Sequence, residues 1–445
     1  MSVWKSCDIR GLFGSELDAD FARALGRAVG QRSAGGAVLV AGDVRPSTEV
    51  LKPALIEGLV QAGAQVLDGG IAPTPAFYHA KRRLGAPSGV MVTASHNPPS
   101  YNGFKIELGA WPIQEDELAA LRATVEAAEW EPGPVGGVEP TDILGPYARF
   151  LVEAFEGLAP RHVVVDAGNG CMSLVAPQVL AALGIDVVPL YCEPDGTFPN
   201  RSPNPSDARH LKAVREAVRA QRAELGVAFD GDGDRVVFVD GTGEVQPAER
   251  VLVLFVRYAL QRAPGAAIIY DQKASDVVRQ VILAAGGRPL RERSGFAHIK
   301  RRLLAERAVL AGEVSGHYFF GELGGDDALF AACHLLRVLD GLRATLAQAL
   351  ASVPVYPITP DIRVPCEPAT ARAIIGELAA AFGEARVDRL DGVRIAWDDG
   401  WALVRESVTE PLITLRFEAR TRERLSALQA EVRASSPTLA AIWPR

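Results

Sequence analysis

Two short stretches of this 445-residue chain carry side chains able to transfer a group. Thr93-Ala94-Ser95-His96-Asn97-Pro98 follows the apolar run Val90-Met91-Val92, so Ser95 stands where a buried strand exits. Asp230-Gly231-Asp232-Gly233-Asp234-Arg235 lies between the apolar runs Leu225–Phe229 and Val236–Val239. Carboxylates at i, i+2 and i+4 meet on one cation only if the backbone folds back, which Gly231 and Gly233 permit. All-oxygen ligation suits Mg²⁺, which keeps positions for water or phosphate. The pattern lacks the distal Glu and flanking helices of a Ca²⁺-binding EF-hand. A serine hydroxyl with a hard-cation site points to phosphoryl transfer rather than acyl transfer. The missing G-x-S-x-G elbow around Ser95 points the same way.

Two further loops have suitable chemistry. Gly312-Glu313-Val314-Ser315-Gly316-His317 can present Glu, Ser and His to one polyol, and Arg405-Glu406-Ser407-Val408-Thr409-Glu410-Pro411 has the Arg and hydroxyls of a phosphate cradle. Taken singly, each stretch is also what an ordinary polar turn or helix cap looks like.

The elements around these loops repeat. Ala37–Asp43, His162–Asp166 and Ala266–Asp271 are short β-branched-rich runs ending at an acidic residue. Helix-like segments follow over Ser47–Ala62, Ser173–Leu183 and Ser275–Ala285, then another apolar strand. This alternation predicts parallel sheets covered on both faces, and a spacing of roughly a hundred residues predicts three similar α/β domains. Glu131–Pro140 reads as a Pro/Gly linker, and Pro354, Pro357, Pro360 and Pro365 punctuate the entry to a last region. There a helix over Ala369–Phe382, three strand-like runs and a closing helix over Thr421–Ser435 predict an α+β domain. The expected divisions are 1–142, 143–246, 247–354 and 355–445.

Composition narrows the setting. Hydrophobic residues make up 48% and charged residues 23%, which is globular rather than disordered. A net charge of −7 disfavours general nucleic-acid or acidic-membrane binding, so an anionic ligand would rely on local Arg and Lys clusters. Cys7, Cys171, Cys192, Cys333 and Cys366 are scattered, odd in number and without a C-x-x-C pair, as expected of reduced cytoplasmic thiols. No signal peptide or membrane span is predicted.

The four loops, in this order, resemble those of the α-D-phosphohexomutase family, in its phosphomannomutase/phosphoglucomutase branch. The resemblance extends over essentially the whole chain and includes Asp8–Gly11, Tyr101–Ile106, Val164–Gly170 and Glu193–Asn200. It implies an α/β protein of four domains around a central cleft, three similar α/β domains with mixed or parallel sheets and a C-terminal α+β domain. It also implies Mg²⁺ on Asp230, Asp232, Asp234 and a phosphorylated Ser95, and a hexose 1,6-bisphosphate as intermediate and activator. Ser95 would carry the phosphoryl group, with Arg10, His96, Lys105 and His317 serving the chemistry beside it. Arg235, Lys273, Lys300, Glu313, Ser315, His317, Arg405, Ser407, Val408 and Thr409 would hold the substrate. The implied partners are small sugar phosphates, not nucleic acid or membrane, for a cytoplasmic monomer or homodimer.

The chain departs from the family pattern at three places. Phe296 replaces a frequent His, with His298 two residues on; Ala41-Gly42-Asp43 replaces Gly-Arg-Asp; and Val408 stands where a small or amide residue is commoner. The expected activity is interconversion of mannose or glucose 1- and 6-phosphates. Phosphoglucosamine mutase is the alternative within the fold, and a non-catalytic sugar-phosphate-binding protein the alternative outside catalysis.

Overall fold

The runs rich in Val, Ile and Leu form buried strands, and the chain packs them into four sheets. The structure is a computed structural model and describes residues 3–5, 7–33, 36–109, 111–127, 135–407 and 411–443. In the first sheet, Ser88–Val92, Ala37–Gly42, Gln65–Ile71 and Gly137–Pro140 run parallel as neighbours. Tyr101–Leu108 then adds antiparallel to Ser88–Val92, with Ile9–Leu12 antiparallel beyond it. The second sheet has the order Val245–Gln246, Val236–Asp240, Leu225–Phe229, His162–Asp166, Asp186–Leu190. The third has Arg288–Glu292, Ala267–Asp271, Leu310–Gly312, Tyr318–Phe320, Gly325–Asp326. The fourth is wholly antiparallel: Ile362–Pro365, Leu412–Ala419, Gly400–Glu406, Val393–Trp397, Val387–Asp388.

The three α/β sheets are mixed, as the expected mixed or parallel α/β domains allow, although strand–helix alternation by itself pointed to parallel strands. The antiparallel additions are the part that matters for chemistry. Val92 pairs with Phe104, Phe229 with Val236, Gly312 with Tyr318, and Glu406 with Ile413. All four motif loops thus reverse the chain between neighbouring antiparallel strands. Two local expectations also change. The helix expected over Ser173–Leu183 is a 3₁₀ turn, Cys171–Leu174, followed by a helix over Ala176–Ala182. The second half of the expected linker is the edge strand Gly137–Pro140.

The first three units share apolar packing. One continuous core runs through Phe77 and Met91 of the first, Val165 and Phe229 of the second, and Phe255 and Phe320 of the third. The fourth unit has its own core, built from Ile374, Leu378, Ile395, Leu415 and Phe417. It meets the third through ion pairs and hydrogen bonds: Lys273 with Asp361, Arg416 with Glu249, Gln272 with Asp391, and the Asp276 N–H with Glu418. Among the described residues no helix is long and apolar enough to cross a membrane.

Asp327 ties the shared core together. It caps the helix Ala328–Leu342 by accepting the Phe330 N–H (2.8 Å), and Tyr147 from the helix Leu144–Ala154 donates its hydroxyl to it (2.9 Å). Burial pushes this carboxyl up to about 7 against the effect of those donors. Unfolded, it titrates near ~3.9. Between these values the native state keeps a proton that the unfolded state has lost, so stability falls as pH rises through the window and the penalty is complete above it. Asp327→Asn keeps the acceptor without the charge. Its melting temperature should exceed the parent's at about pH 8 and converge on it only toward about pH 4; a pH-independent difference would refute this role.

Candidate active site

Ser95 sits on a buried reversal at a left-handed φ of 50°. Three residues hold it there. The Ser95 N–H donates to Thr93 Oγ1 (2.8 Å), and Thr93 Oγ1 donates to Asp43 Oδ2 (2.7 Å). The Arg45 guanidinium, paired with Asp43, donates to the carbonyls of Ser95 (2.9 Å), Asn97 (2.6 Å), Pro98 (2.6 Å) and Tyr101 (3.0 Å). One buried fork thus fixes the whole loop. Sequence reading missed Arg45. The signal available was its position two residues beyond the strand-end carboxylate of Asp43.

The metal-type loop closes on Ser95 from the second unit. Ser95 Oγ donates to Asp230 Oδ2 (2.9 Å) and lies 3.2 Å from His96 Nδ1. Gly231 is required here, because a Cβ on it would stand 2.5 Å from the Ser95 carbonyl oxygen. Asp230, Asp232 and Asp234 are all buried, with one carboxylate oxygen from each within 4.8 Å of the others. Burial, then Asp234 and Asp232, push the Asp230 carboxyl well above its usual range. Asp232 Oδ1 and Asp234 Oδ1 are buried without hydrogen-bond partners. Gathered, partly unpartnered and all oxygen, this donor set fits Mg²⁺. Thr74, also missed from sequence, anchors the loop by donating to Asp232 Oδ2 (2.6 Å).

Lys105, on the strand Tyr101–Leu108, donates to Asp232 (2.6 Å) and to Asp234. Burial opposes its charge, yet the two carboxylates outweigh that and raise its pKa. In this arrangement it is a fixed cation or proton donor rather than a base. His96 is kept neutral by burial and by the charges of Arg235 and Arg10. Arg10 donates to Asp8 (2.7 Å) and Asn97 (3.1 Å) at the mouth of the serine loop.

His317 is buried between acids and a base. Its Nδ1 lies 2.8 Å from Asp326 Oδ2, and its Nε2 accepts from Arg235 Nε (2.9 Å). Burial alone would lower the imidazole pKa, but Asp234 and Asp326 outweigh it and leave it raised. The Arg235 donor selects the Nδ1–H tautomer, so a proton reaches Nε2 only when Arg235 turns away. Asp326 was not singled out from sequence; it comes from the next hairpin of the third sheet.

Arg10, His96, Arg235 and His317 line one cleft of about 850 Å³ together with Lys273, Glu313, Ser315, Phe296, His298 and Arg405, and Ser95 lies behind its wall, against His96. Glu313 accepts the Gly295 N–H (2.6 Å) and the Ser315 hydroxyl (3.2 Å). Lys273 pairs with Asp361 (2.6 Å) and Arg405 with Asp391 (3.0 Å), both carboxylates of the fourth unit. His298, 3.7 Å from Cys7 Sγ, is pushed down to about 4 by burial and by Arg293, Arg301 and Arg405. An imidazole thus faces the cleft one position pair beyond Phe296, whose ring lies 5.5 Å from Lys105 Nζ. Ser407 donates its N–H to the Leu412 carbonyl (2.9 Å) at the start of its loop; Val408 and Thr409 lie outside the described residues.

Lys300 is not in this cleft. It pairs with Glu107 (2.5 Å) over the Tyr78 ring and lines a separate cavity. Its position on the helix Phe296–Glu306 turns it toward the first unit, away from the substrate side.

A hydroxyl held against an oxygen-only cation site, in a cleft lined by Arg and Lys, has the make-up of a metal-assisted phosphoryl-transfer enzyme. Models of the phosphoglucomutase/phosphomannomutase α/β/α domains I, II and III match residues 2–132, 146–243 and 247–356, and that of the C-terminal domain matches 362–435. The phosphomannomutase/phosphoglucomutase of Pseudomonas aeruginosa is 42% identical over 97% of this chain and 95% of its own length. A phosphoglucomutase of Neisseria meningitidis is 36% identical over 99% of this chain and 98% of its own. A phosphoglucomutase/phosphomannomutase family protein of Burkholderia thailandensis superposes with a TM-score of 0.92 at 38% identity, covering 100% of this chain and 98% of that one. The chain belongs to the phosphomannomutase/phosphoglucomutase branch of the α-D-phosphohexomutase superfamily and is an enzyme of that activity.

Arg45→Lys keeps the charge beside Asp43 but cannot span four carbonyls. It should fold and lower kcat/KM by on the order of 10²-fold through misplacement of Ser95. Wild-type turnover by a folded Arg45→Lys protein would remove Arg45 from this account.

Proposed function

We propose that the enzyme interconverts the 1- and 6-phosphates of mannose and glucose through a phosphoserine at Ser95 and a bound hexose 1,6-bisphosphate. The observation that carries this reading is the seating of Ser95 Oγ against Asp230 and beside His96, whose ring lines the same cleft as Arg405 and Lys273. A sugar phosphate docked on those two cations leaves its free hydroxyl to meet Ser95. The P–O bond to Ser95 Oγ breaks as a new P–O bond forms to the sugar hydroxyl, and the hydroxyl proton leaves. The bisphosphate then turns, and its other phosphate returns to Ser95.

Each residue has a part in this reading. Mg²⁺ held by Asp230, Asp232, Asp234 and a phosphoserine oxygen would supply neutralisation of charge on the transferring group. Arg10 and Arg235 bind phosphoryl oxygens. As Arg235 turns to the phosphate it frees the His317 Nε2 lone pair, which takes the hydroxyl proton while Asp326 keeps the other proton on Nδ1. Lys105, held as ammonium, steadies the loop and donates. Glu313 and Ser315 hold sugar hydroxyls in either orientation. The loop at Ser407, Val408 and Thr409 supplies further phosphate donors, with Lys273 and Arg405 beside it.

Intact-mass measurement of enzyme incubated with glucose 1,6-bisphosphate should show a species one phosphoryl group heavier, absent in Ser95→Ala. Turnover of mannose 1-phosphate and glucose 1-phosphate should vanish with it. Comparing kcat/KM for the mannose, glucose and glucosamine phosphates ranks the substrates. Glucosamine phosphate as the sole good substrate would overturn the hexose assignment, and no turnover of any would overturn the reaction.

The tautomer argument has its own check. Asp326→Asn still accepts from Nδ1–H and should keep most of kcat. Asp326→Ala should lower kcat by about 10²-fold with KM nearly unchanged. Equal losses in both variants would show that Asp326 acts through its charge rather than by holding the Nδ1–H tautomer.

A further inference from the structure

Arg394, on the strand Val393–Trp397, is a buried guanidinium without an acidic partner. It lies over the Trp401 ring at 4.6 Å, its Nε has no hydrogen-bond partner, and among the described residues it forms no ion pair. It borders a polar cavity of about 330 Å³ at the seam of the third and fourth units, which Arg279, Arg291 and Arg420 also line. The carboxylates on these walls are largely committed elsewhere. Asp276 takes Arg279 (2.7 Å) and Gln280 (2.7 Å), and Asp399 takes Arg424 (2.8 Å). Glu418 Oε1 takes the Asp276 N–H (2.9 Å) and Trp401 Nε1 (3.0 Å) while its Oε2 is buried without a partner, Asp398 also lines the wall, and Arg291 is answered by Asp388. Burial, then Arg291, push the Arg394 guanidinium down to about 10 against the weaker pull of Asp276 and Glu418, neither of which pairs with it directly.

We propose that this cavity is a second anion site, which takes inorganic phosphate or the phosphate group of a small metabolite between Arg394, Arg291, Arg279 and Arg420. Arginine forks suit that chemistry, and a buried unpaired guanidinium gains most from it. The cavity shares no residue with the catalytic cleft. Its cations come from both sides of the seam: Arg279 and Arg291 from the third unit, Arg394 and Arg420 from the fourth. A bound anion would therefore fasten the fourth unit, which carries Arg405, to the other three.

Trp401 beneath Arg394 and Trp397 on the cavity wall provide a built-in reporter. The full-length Arg405→Ala protein, with its cleft phosphate site weakened, is titrated with inorganic phosphate and separately with glucose 6-phosphate, by tryptophan fluorescence and calorimetry. A saturable site should appear. Adding Arg394→Met should abolish it, and adding Arg279→Ser, at the half-exposed mouth, should raise Kd about tenfold. In the otherwise wild-type enzyme, Arg394→Met should leave turnover without added phosphate unchanged. Tighter binding of phosphate identifies the free ion as the occupant, and tighter binding of glucose 6-phosphate a phosphorylated metabolite. No saturable site in Arg405→Ala, or an unaltered Kd in both cavity variants, would overturn the proposal.

Discussion

Three carboxylates confined to a buried loop repel one another, and much of this structure answers that repulsion. Asp230, Asp232 and Asp234 have almost no water contact, and the side-chain cation nearest to neutralising them is Lys105, bound to two of the three. Such a cluster is stable only with a cation seated in it. The second unit supplies the loop, and the first supplies Lys105, Thr74 and Ser95. The first two units are therefore held together by the same charges that serve the chemistry.

The four loops have one geometric origin. A tight reversal between antiparallel neighbours gives a short, well-anchored loop, whereas a parallel crossover spends its length on a helix. Each α/β sheet adds antiparallel strands beside its parallel set, and each places its functional side chains on the reversal between two antiparallel neighbours. The fourth sheet is antiparallel throughout. In the first three the loops are thus precise in position without being long, and Arg45 shows how far this goes, with one guanidinium gripping four carbonyls of a single reversal.

What the sequence made legible follows from this. Residues that act within one loop were readable from spacing: three Asp alternating with Gly, Ser after a strand, Glu and His five residues apart at most. Residues that act between loops were not. Asp326 reaches its partner only through the sheet order, with no local pattern to mark it, and Arg45 has only its place two residues beyond Asp43 as a local sign. Lys300 lies apart from the cleft for a complementary reason. It lies one helical turn beyond Phe296, which does line the cleft, and that single turn carries it to Glu107 on the far side. Which strands run antiparallel was not readable from the residues alone, because an antiparallel strand buried on both faces has the same continuous apolar composition as a parallel one.

The two ends of the cleft solve the problem of binding phosphate in different ways. At the Ser95 end the donors are fixed by burial and by short bonds within the first three units, which share one apolar core. At the other end, Lys273 and Arg405 are paired with Asp361 and Asp391, exposed by roughly a fifth to a third. Such half-open pairs are weak, and a phosphate dianion competes well for their cations. The fourth unit also meets the third through polar contacts, which exchange more readily than interdigitated side chains. In the proposed reaction, a bisphosphate that turns around would need one end that holds its geometry and another that can release and grip again. The division between a shared core and a polar seam provides that difference within one chain.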